Sequence, residues 1–195
     1  MPADEALSKL MAGNERYVRH ELQHPDQSLD RRKTLAGGQQ PFAVILGCSD
    51  SRVSPELLFD QGLGSLFVTR VAGNIADDAV LGSIEYAVEH LGTKLIVVLG
   101  HEKCGAVSAA VEGGNPPGHV KALVTAIQPS VQATRNDPGD KVHNCVVANA
   151  RRVAQLIRES EPILKEYVQG KGLKVVAADY ALDTGKVTLL DAARP

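Results

Sequence analysis

The sequence predicts an α/β fold: a mostly parallel β-sheet with helices on both faces. Two short apolar runs, residues 41–47 and 94–100, each end in glycine and have the continuous hydrophobicity of strands buried in a parallel sheet. Segments with apolar residues at helical spacing lie before, between and after them. A tight turn at residues 183–185 joins two β-rich runs, which indicates an antiparallel strand. We therefore expect about four parallel strands plus an antiparallel C-terminal edge strand.

The elements follow in order along the chain. Residues 3–20 predict an amphipathic helix, which begins an N-terminal helical arm over residues 1–35, and the polar residues 24–30 predict an extended or looped segment. Strands are expected at 41–47, 65–71, 94–100 and 173–180, with the antiparallel strand at 186–190. Helices are expected at 56–60, 79–91, after Cys104, at 119–135 and over most of 140–170, with a kink or break at Pro129 and near Pro162.

Composition and charge limit the class of protein. A chain of 195 residues, 44% of them hydrophobic, suits a single domain over residues 1–195 with a sizeable core. The formal net charge of −2 and the lack of a basic run argue against a nucleic-acid partner. No apolar stretch approaches the ~20 residues of a membrane-spanning helix. The acidic N-terminus is unlike a secretory signal, and three cysteines imply no disulfide framework, so we expect a cytoplasmic protein.

Three side chains of the kind that bind soft metals follow the two glycine-closed runs. Cys48 follows the first run, His101 follows the second, and Cys104 lies three residues later, on the same face of a first helical turn. The carboxyl ends of parallel strands share one edge, so the three meet there if the strands are neighbours. A Cys2His set leaves one zinc position open, as in catalytic sites. The alternative is two buried thiols and a core imidazole.

Asp50 and Arg52 lie close to the first of these cysteines. The pair is either a surface ion pair or a support for the metal site, in which Arg52 keeps Asp50 ionised through a bidentate contact. An ionised carboxylate only accepts hydrogen bonds, so it would orient a nucleophile that still carries a proton, either water or hydroxide. A phosphatase loop requires Cys-x5-Arg, whereas the spacing from Cys48 to Arg52 is Cys-x3-Arg.

These motifs resemble the β-class carbonic anhydrases. The resemblance rests on residues 48–52 (Cys-Ser-Asp-Ser-Arg), 101–105 (His-Glu-Lys-Cys-Gly), 72–75 and 84–88. It implies one Zn²⁺ per chain on the two cysteines and the histidine, a catalytic Asp–Arg dyad, and the reversible hydration of carbon dioxide to bicarbonate and a proton. Two alternatives stay open: a related zinc hydrolase acting on CS2 or COS, and a non-catalytic zinc-binding regulatory module.

The resemblance also implies a substrate pocket and an assembly. Phe67, Ala72 and Tyr86 stand at positions that form an apolar wall for carbon dioxide, while Gln39 and the backbone N–H of Gly105 would donate to a substrate oxygen. From their spacing alone, Phe67 and Tyr86 could equally be core residues. The family implies a homodimer or homotetramer, with the N-terminal arm packed on a second subunit and with part of the pocket supplied by that subunit.

One departure from the family concerns regulation. Members with a non-catalytic bicarbonate site carry a tryptophan three residues before the first zinc cysteine, where this chain has Ile45 and contains no tryptophan. Arg70 does stand where those members place a bicarbonate-binding arginine. Since an isoleucine offers no indole N–H donor, we expect the open form at neutral pH, with Asp50 paired to Arg52 rather than bound to zinc.

Overall fold

The computed structural model of the protein describes residues 1–190, which form one five-stranded sheet in the order β2-β1-β3-β4-β5. The strands are β1 (Ala43–Gly47), β2 (Leu66–Arg70), β3 (Leu95–His101), β4 (Lys174–Tyr180) and β5 (Val187–Leu189). Strands β1 to β4 are parallel and β5 is antiparallel to β4. The predicted fold class is confirmed. The C-terminal boundary of the predicted domain, residue 195, lies outside the described residues.

Eight helices surround the sheet within the described part of the chain. They are α1 (Ala3–Val18), α2 (Leu29–Leu35), α3 (Pro55–Leu58), α4 (Asp78–Glu89), α5 (Gly105–Glu112), α6 (Val120–Ala133), α7 (Lys141–Glu159) and α8 (Ile163–Gly170). Alternate strand residues face opposite sides. One side of the sheet packs against α4, α7 and α8, and the other against α1 and α3. A third apolar cluster, formed largely by α5, α6 and α7, covers the loops that carry Cys48 and Cys104.

The N-terminal arm differs from its prediction in two ways. Helix α1 buries Ala6 and Leu10 against the chain's own sheet, in the cluster that contains Phe59, whereas the resemblance implied that the arm packs on a second subunit. Helix α2 lies within the predicted helical arm but begins inside residues 24–30, which were predicted to be extended or looped. Its N-cap is Ser28, whose side chain accepts a hydrogen bond from the Arg31 N–H, and the helix buries no residue.

The two proline signals had different outcomes. Helix α6 continues through Pro129, whereas α7 ends at Glu159 and α8 begins after Pro162, as predicted. Strand β3 extends one residue beyond the expected boundary, through His101, because the chain stays paired with β4 up to Tyr180. Over residues 1–190, no helix has the length and apolarity required to cross a bilayer.

Candidate active site

The candidate site lies at the carboxyl ends of β1 and β3, which are hydrogen-bonded neighbours with Gly47 opposite Leu99. Cys48 follows β1 directly, and His101 is the last residue of β3. Cys104 is the N-cap of α5, so the prediction that His101 and Cys104 share a helical turn is wrong. A two-residue loop joins them instead, with Lys103 in the left-handed region at a φ of 52°. The topology therefore brings all three side chains to one edge of the sheet.

The donor atoms of these residues have the arrangement of a metal site. Cys48 Sγ, Cys104 Sγ and a ring nitrogen of His101 all lie within 4.8 Å of one another, and all three residues are buried. The two sulfurs are 3.9 Å apart. Two thiolates bound at 2.3 Å to a tetrahedral zinc would be about 3.8 Å apart, so the spacing of the sulfurs fits this ion.

The orientation of His101 supports the same conclusion. Its Nδ1 lies 2.8 Å from the carbonyl oxygen of Glu102, to which an Nδ1–H donates, and this leaves a lone pair on Nε2. Nε2 is fully buried and has no hydrogen-bond partner in the described chain. The loop is fixed on both sides, because the Glu102 N–H donates to Tyr180 O and the Glu102 carboxylate accepts from the Leu182 N–H. A buried imidazole nitrogen beside two sulfurs is a ligand atom ready for a metal.

The two thiols differ in how readily they ionise. Hydrogen bonding from Cys104 lowers the pKa of the Cys48 thiol to about 4, against the effect of burial, and His101 and the Gly73 N–H contribute to the lowering. The adjacent Cys48 and burial raise the pKa of Cys104 well above its usual range. By itself the pair therefore keeps one proton between two sulfurs. A divalent cation would favour ionisation of the second thiol, which is the behaviour of a thiolate metal site.

Asp50 and Arg52 form a bidentate ion pair at the edge of this cluster. Arg52 Nε donates to Asp50 Oδ1 at 2.9 Å and Nη2 donates to Oδ2 at 2.7 Å, while the Arg52 backbone N–H also donates to Oδ1. These bonds hold the pKa of Asp50 far below its usual range. Asp50 Oδ2 lies 4.0 Å from His101 Nε2, so the carboxylate faces the candidate metal position.

Arg70, at the end of β2, supports the loop that carries Cys48. Its Nε donates to Cys48 O at 2.8 Å and its Nη2 donates to Asp50 O at 2.5 Å. Both carbonyl groups belong to the turn between the first metal-type ligand and the carboxylate. The guanidinium therefore fixes the position of Asp50 relative to Cys48, a structural role that the sequence did not indicate.

The residues expected to bind substrate lie in three places. Phe67 packs on the core beside Tyr86, with ring centroids 6.3 Å apart, while Tyr86 is 48% exposed and contacts the His90 ring in a tilted arrangement, with centroids 5.1 Å apart. Ala72 begins the 3-10 turn after β2, and Gly105 is the first residue of α5, next to Cys104. Gln39 is exposed and lines a groove that also contains His90.

The groove that contains Gln39 has none of the three metal-type ligands in its lining. The described part of a single chain therefore gathers only some of the predicted pocket residues around the site. The Phe67–Tyr86 wall is open to solvent on the side of Tyr86. Nothing in a short-range sequence pattern indicates whether such a pocket is completed within one chain or between two.

The sulfur of Cys48 accepts a hydrogen bond from a residue outside the motifs that contain the three metal-type ligands. The backbone N–H of Gly73 donates to Cys48 Sγ at 3.3 Å, and Gly73 adopts a φ of 75°. Residues 72–75 resembled the family only as a motif, which does not indicate such a contact. The glycine itself is the available signal, since a left-handed residue beside a buried sulfur favours glycine.

The fold and site together define a class of protein. The sheet is mostly parallel and carries a Cys2His cluster at its carboxyl edge, which is one ligand fewer than the four of a structural zinc site. This arrangement is that of a metal-dependent enzyme.

Comparison with known proteins agrees with this class. The family described as Carbonic anhydrase matches residues 43–187. Carbonic anhydrase 2 of Mycobacterium tuberculosis is 45% identical over 190 residues, covering 95% of this chain and 92% of that protein. A β-carbonic anhydrase of Aspergillus fumigatus superposes with a TM-score of 0.73 at 29% identity, over 97% of this chain and 92% of that one. The chain therefore belongs to the carbonic anhydrase family, in its β class.

A third relative shares the fold at lower identity. One of two tetrameric β-carbonic anhydrases of Sordaria macrospora gives a TM-score of 0.78 at 24% identity, covering 98% of this chain and 100% of that one. The fold described above is thus that of the β class.

Proposed function

We propose that this protein catalyses the zinc-dependent, reversible hydration of carbon dioxide to bicarbonate and a proton. The observation that supports this function best is the cluster of Cys48, His101 and Cys104, in which the unpartnered Nε2 of His101 lies close to two sulfurs and to the Asp50–Arg52 pair. These three ligands would hold one Zn²⁺ per chain. When bound, zinc supplies a Lewis acid that makes water a nucleophile near neutral pH.

The Asp50–Arg52 pair would select and orient that nucleophile. Because its pKa lies far below the usual range, Asp50 is ionised at every working pH and can only accept hydrogen bonds. It therefore accepts from the O–H of a water or hydroxide at the site and directs the remaining lone pair away from itself. Arg52 also donates to the carbonyl oxygen of Lys103, which ties the carboxylate to the loop between the other two ligands.

Carbon dioxide would bind on the side of β2 and α4. Phe67, Ala72 and Tyr86 offer apolar surface to a substrate without a dipole, and the first-turn N–H of Gly105 points from a helix N-terminus, where developing negative charge on oxygen is stabilised. A methyl group added at Gly105 would meet nothing within 4 Å, so there is space beside this N–H. Gln39 would reach the site of a neighbouring subunit.

The rate of hydration should rise with pH through neutrality and fall below it. Two thiolates cancel the charge of Zn²⁺, so water activated here keeps its proton to a higher pH than the about 7 of three-histidine sites. Asp50 does not produce this dependence, because its depressed pKa keeps it ionised throughout. Initial rates over a pH series test the expectation, and a flat profile across neutrality would contradict it.

We expect the functional unit to be a homodimer or a tetramer built from it. Within residues 1–190 the outer edge of β2 has no strand partner, and two exposed apolar side chains lie close to this strand: Leu63, shortly before it in sequence, and Tyr86, whose ring contacts Phe67. Leu63 is joined to α2, since Arg31 Nε donates to its carbonyl oxygen. The tetrameric Sordaria macrospora protein has the same fold.

Light scattering tests the assembly. A particle of at least twice 20.7 kDa is expected at micromolar concentration. Leu63→Asp should lower that mass and the activity together, because a carboxylate in an apolar interface costs desolvation free energy. Val120→Asp is the matched control, since Val120 is exposed to a similar degree at the start of α6. A fully active monomer would exclude the dimer.

We also propose that the enzyme stays in the open form and lacks bicarbonate regulation. Ile45 is fully buried and offers no side-chain N–H donor, and two Arg70 donors already bind Cys48 O and Asp50 O. A bicarbonate ion there would be under-coordinated. Inhibition by bicarbonate should therefore follow a simple hyperbola in steady-state kinetics, whereas cooperative inhibition would contradict this proposal.

A stopped-flow trace of carbon dioxide hydration, combined with a zinc assay, separates the proposed function from its two alternatives. Hydration with one zinc per chain supports the carbonic anhydrase. Turnover of CS2 or COS without hydration would favour the related hydrolase, and zinc without turnover of either would favour a regulatory module.

The three free thiols are all buried, and a reducing compartment such as the cytoplasm would keep them reduced.

A further inference from the structure

Helix α7 carries one polar side chain on its buried face. The buried residues of this helix are Cys145, Val146, Asn149, Ala150, Val153, Ala154 and Ile157. Asn149 is 0% exposed, and a buried amide destabilises a fold unless its donors and acceptor are paired. An apolar residue would pack at this position without that requirement. The amide therefore needs an explanation from its contacts.

The contacts of Asn149 connect three separate segments of the chain. Its Nδ2 donates to the carbonyl oxygen of Gly73 at 2.9 Å, and its Oδ1 accepts from Ser130 Oγ at 3.2 Å. Ser130 Oγ in turn accepts from Arg152 Nε at 3.1 Å, and Arg152 Nη2 donates to Ala126 O at 2.6 Å. Since Ser130 gives its proton to Oδ1, the amide can only present its NH2 group to Gly73.

Gly73 connects this network to the metal-type ligands. Its carbonyl oxygen is held by Asn149, and its own N–H donates to Cys48 Sγ at 3.3 Å. The residue has a φ of 75°, and a Cβ there would lie 2.7 Å from Ile127 Cδ1 and 3.2 Å from Ala106 Cβ. The turn at Gly73 is therefore packed on one side and hydrogen-bonded on the other. These contacts hold the Gly73 N–H in the orientation that points to Cys48 Sγ.

From these contacts we propose that Asn149 is a positioning residue for the metal centre. It holds the turn at Gly73 so that the N–H of this glycine donates to the thiolate of Cys48. Hydrogen bonds to a ligating sulfur reduce the charge it gives to a metal and fix its direction, and such outer partners change metal affinity or activity by about 10- to 100-fold. This inference rests on the proposed zinc site. It adds a residue from outside the ligand motifs, because Asn149 lies 101 positions after Cys48 in the sequence.

Cobalt substitution gives a readout of the sulfur itself. The protein is loaded with Co²⁺, and the thiolate-to-cobalt charge-transfer band is recorded in the wild type, in Asn149→Ala and in Ser130→Ala. Loss of the N–H···S bond raises the energy of the sulfur electrons, so the band should move to longer wavelength in Asn149→Ala. Metal release to a chelator should be about 10-fold faster. Ser130→Ala, which frees the amide to rotate, should show smaller changes in the same directions.

Val153→Ala is the matched control, because Val153 is fully buried one turn further along the same face and packs on the sheet. It should lower the urea midpoint while keeping the wild-type band and release rate. A wild-type band in Asn149→Ala, or equal shifts in Val153→Ala, would overturn the inference. If Asn149→Ala does not fold, a wild-type band and release rate in Ser130→Ala overturn it. Failure of the wild type to bind one Co²⁺ per chain would instead refute the proposed metal site.

Discussion

Replacing Cys104 with alanine is expected to remove most of the bound zinc and to lower the rate of hydration by at least about a thousandfold. The proposed Lewis acid lowers the barrier to hydration by several kcal/mol, and each 1.4 kcal/mol corresponds to about tenfold in rate. Without Cys104, only Cys48 and His101 remain at the buried cluster, and two ligands do not complete a stable zinc site. Metal content by mass spectrometry and stopped-flow hydration measure the two effects.

The chain supplies its own control for this substitution. Cys145 is a third buried thiol in the same apolar cluster as Cys48 and Cys104, but it is not among the grouped donor atoms, and burial raises its pKa to about 11. Cys145→Ala should therefore keep one zinc per chain and wild-type turnover. Full zinc occupancy in Cys104→Ala would show that the ligand set is wrong.

The second large effect is expected at the Asp50–Arg52 pair, where zinc should stay and the rate should fall. Asp50→Asn places an amide where the nucleophile needs a pure acceptor, so we expect a loss of about 100-fold in kcat/KM with unchanged metal content. Arg52→Ala removes both side-chain hydrogen bonds from the carboxylate, so the orientation of Asp50 is lost as well.

The two variants differ in their dependence on pH. Arg52 lowers the pKa of Asp50, so removing it raises that pKa toward the ordinary value of an aspartate. The active, ionised form of Asp50 is present above its pKa and is lost as the pH falls through it. Arg52→Ala should therefore keep the wild-type fall near neutrality and show an additional loss of rate at acid pH, where Asp50 takes up a proton, and Asp50→Asn should not show this second loss. Wild-type turnover in both variants would remove the pair from the mechanism.

The strands and the metal-type ligands could be predicted because both depend on short-range patterns. The apolar runs before Cys48 and before His101 are long enough only for strands, and each ends in glycine, so the ligands had to leave the same edge of a parallel sheet. Ser54 and Asp77, which are residue types that favour helix N-caps, directly precede α3 and α4, and the turn at 183–185 returns the chain antiparallel into β5. These features require no knowledge of distant contacts.

Only the tertiary structure decided how the site is supported. Strand order makes β1 and β3 neighbours, and the left-handed Lys103, rather than a helical turn, brings Cys104 back to His101. Helix α1 covers its own sheet, and Gln39 lies in a separate groove. The hydrogen bonds from Asn149 to Gly73 and from Gly73 to Cys48 join residues that are far apart in sequence. Neither Asn149 nor Gly73 belongs to a sequence pattern that indicates this contact. Local patterns specify which residues can bind a metal, whereas the distances and hydrogen bonds that hold them depend on how the whole chain packs.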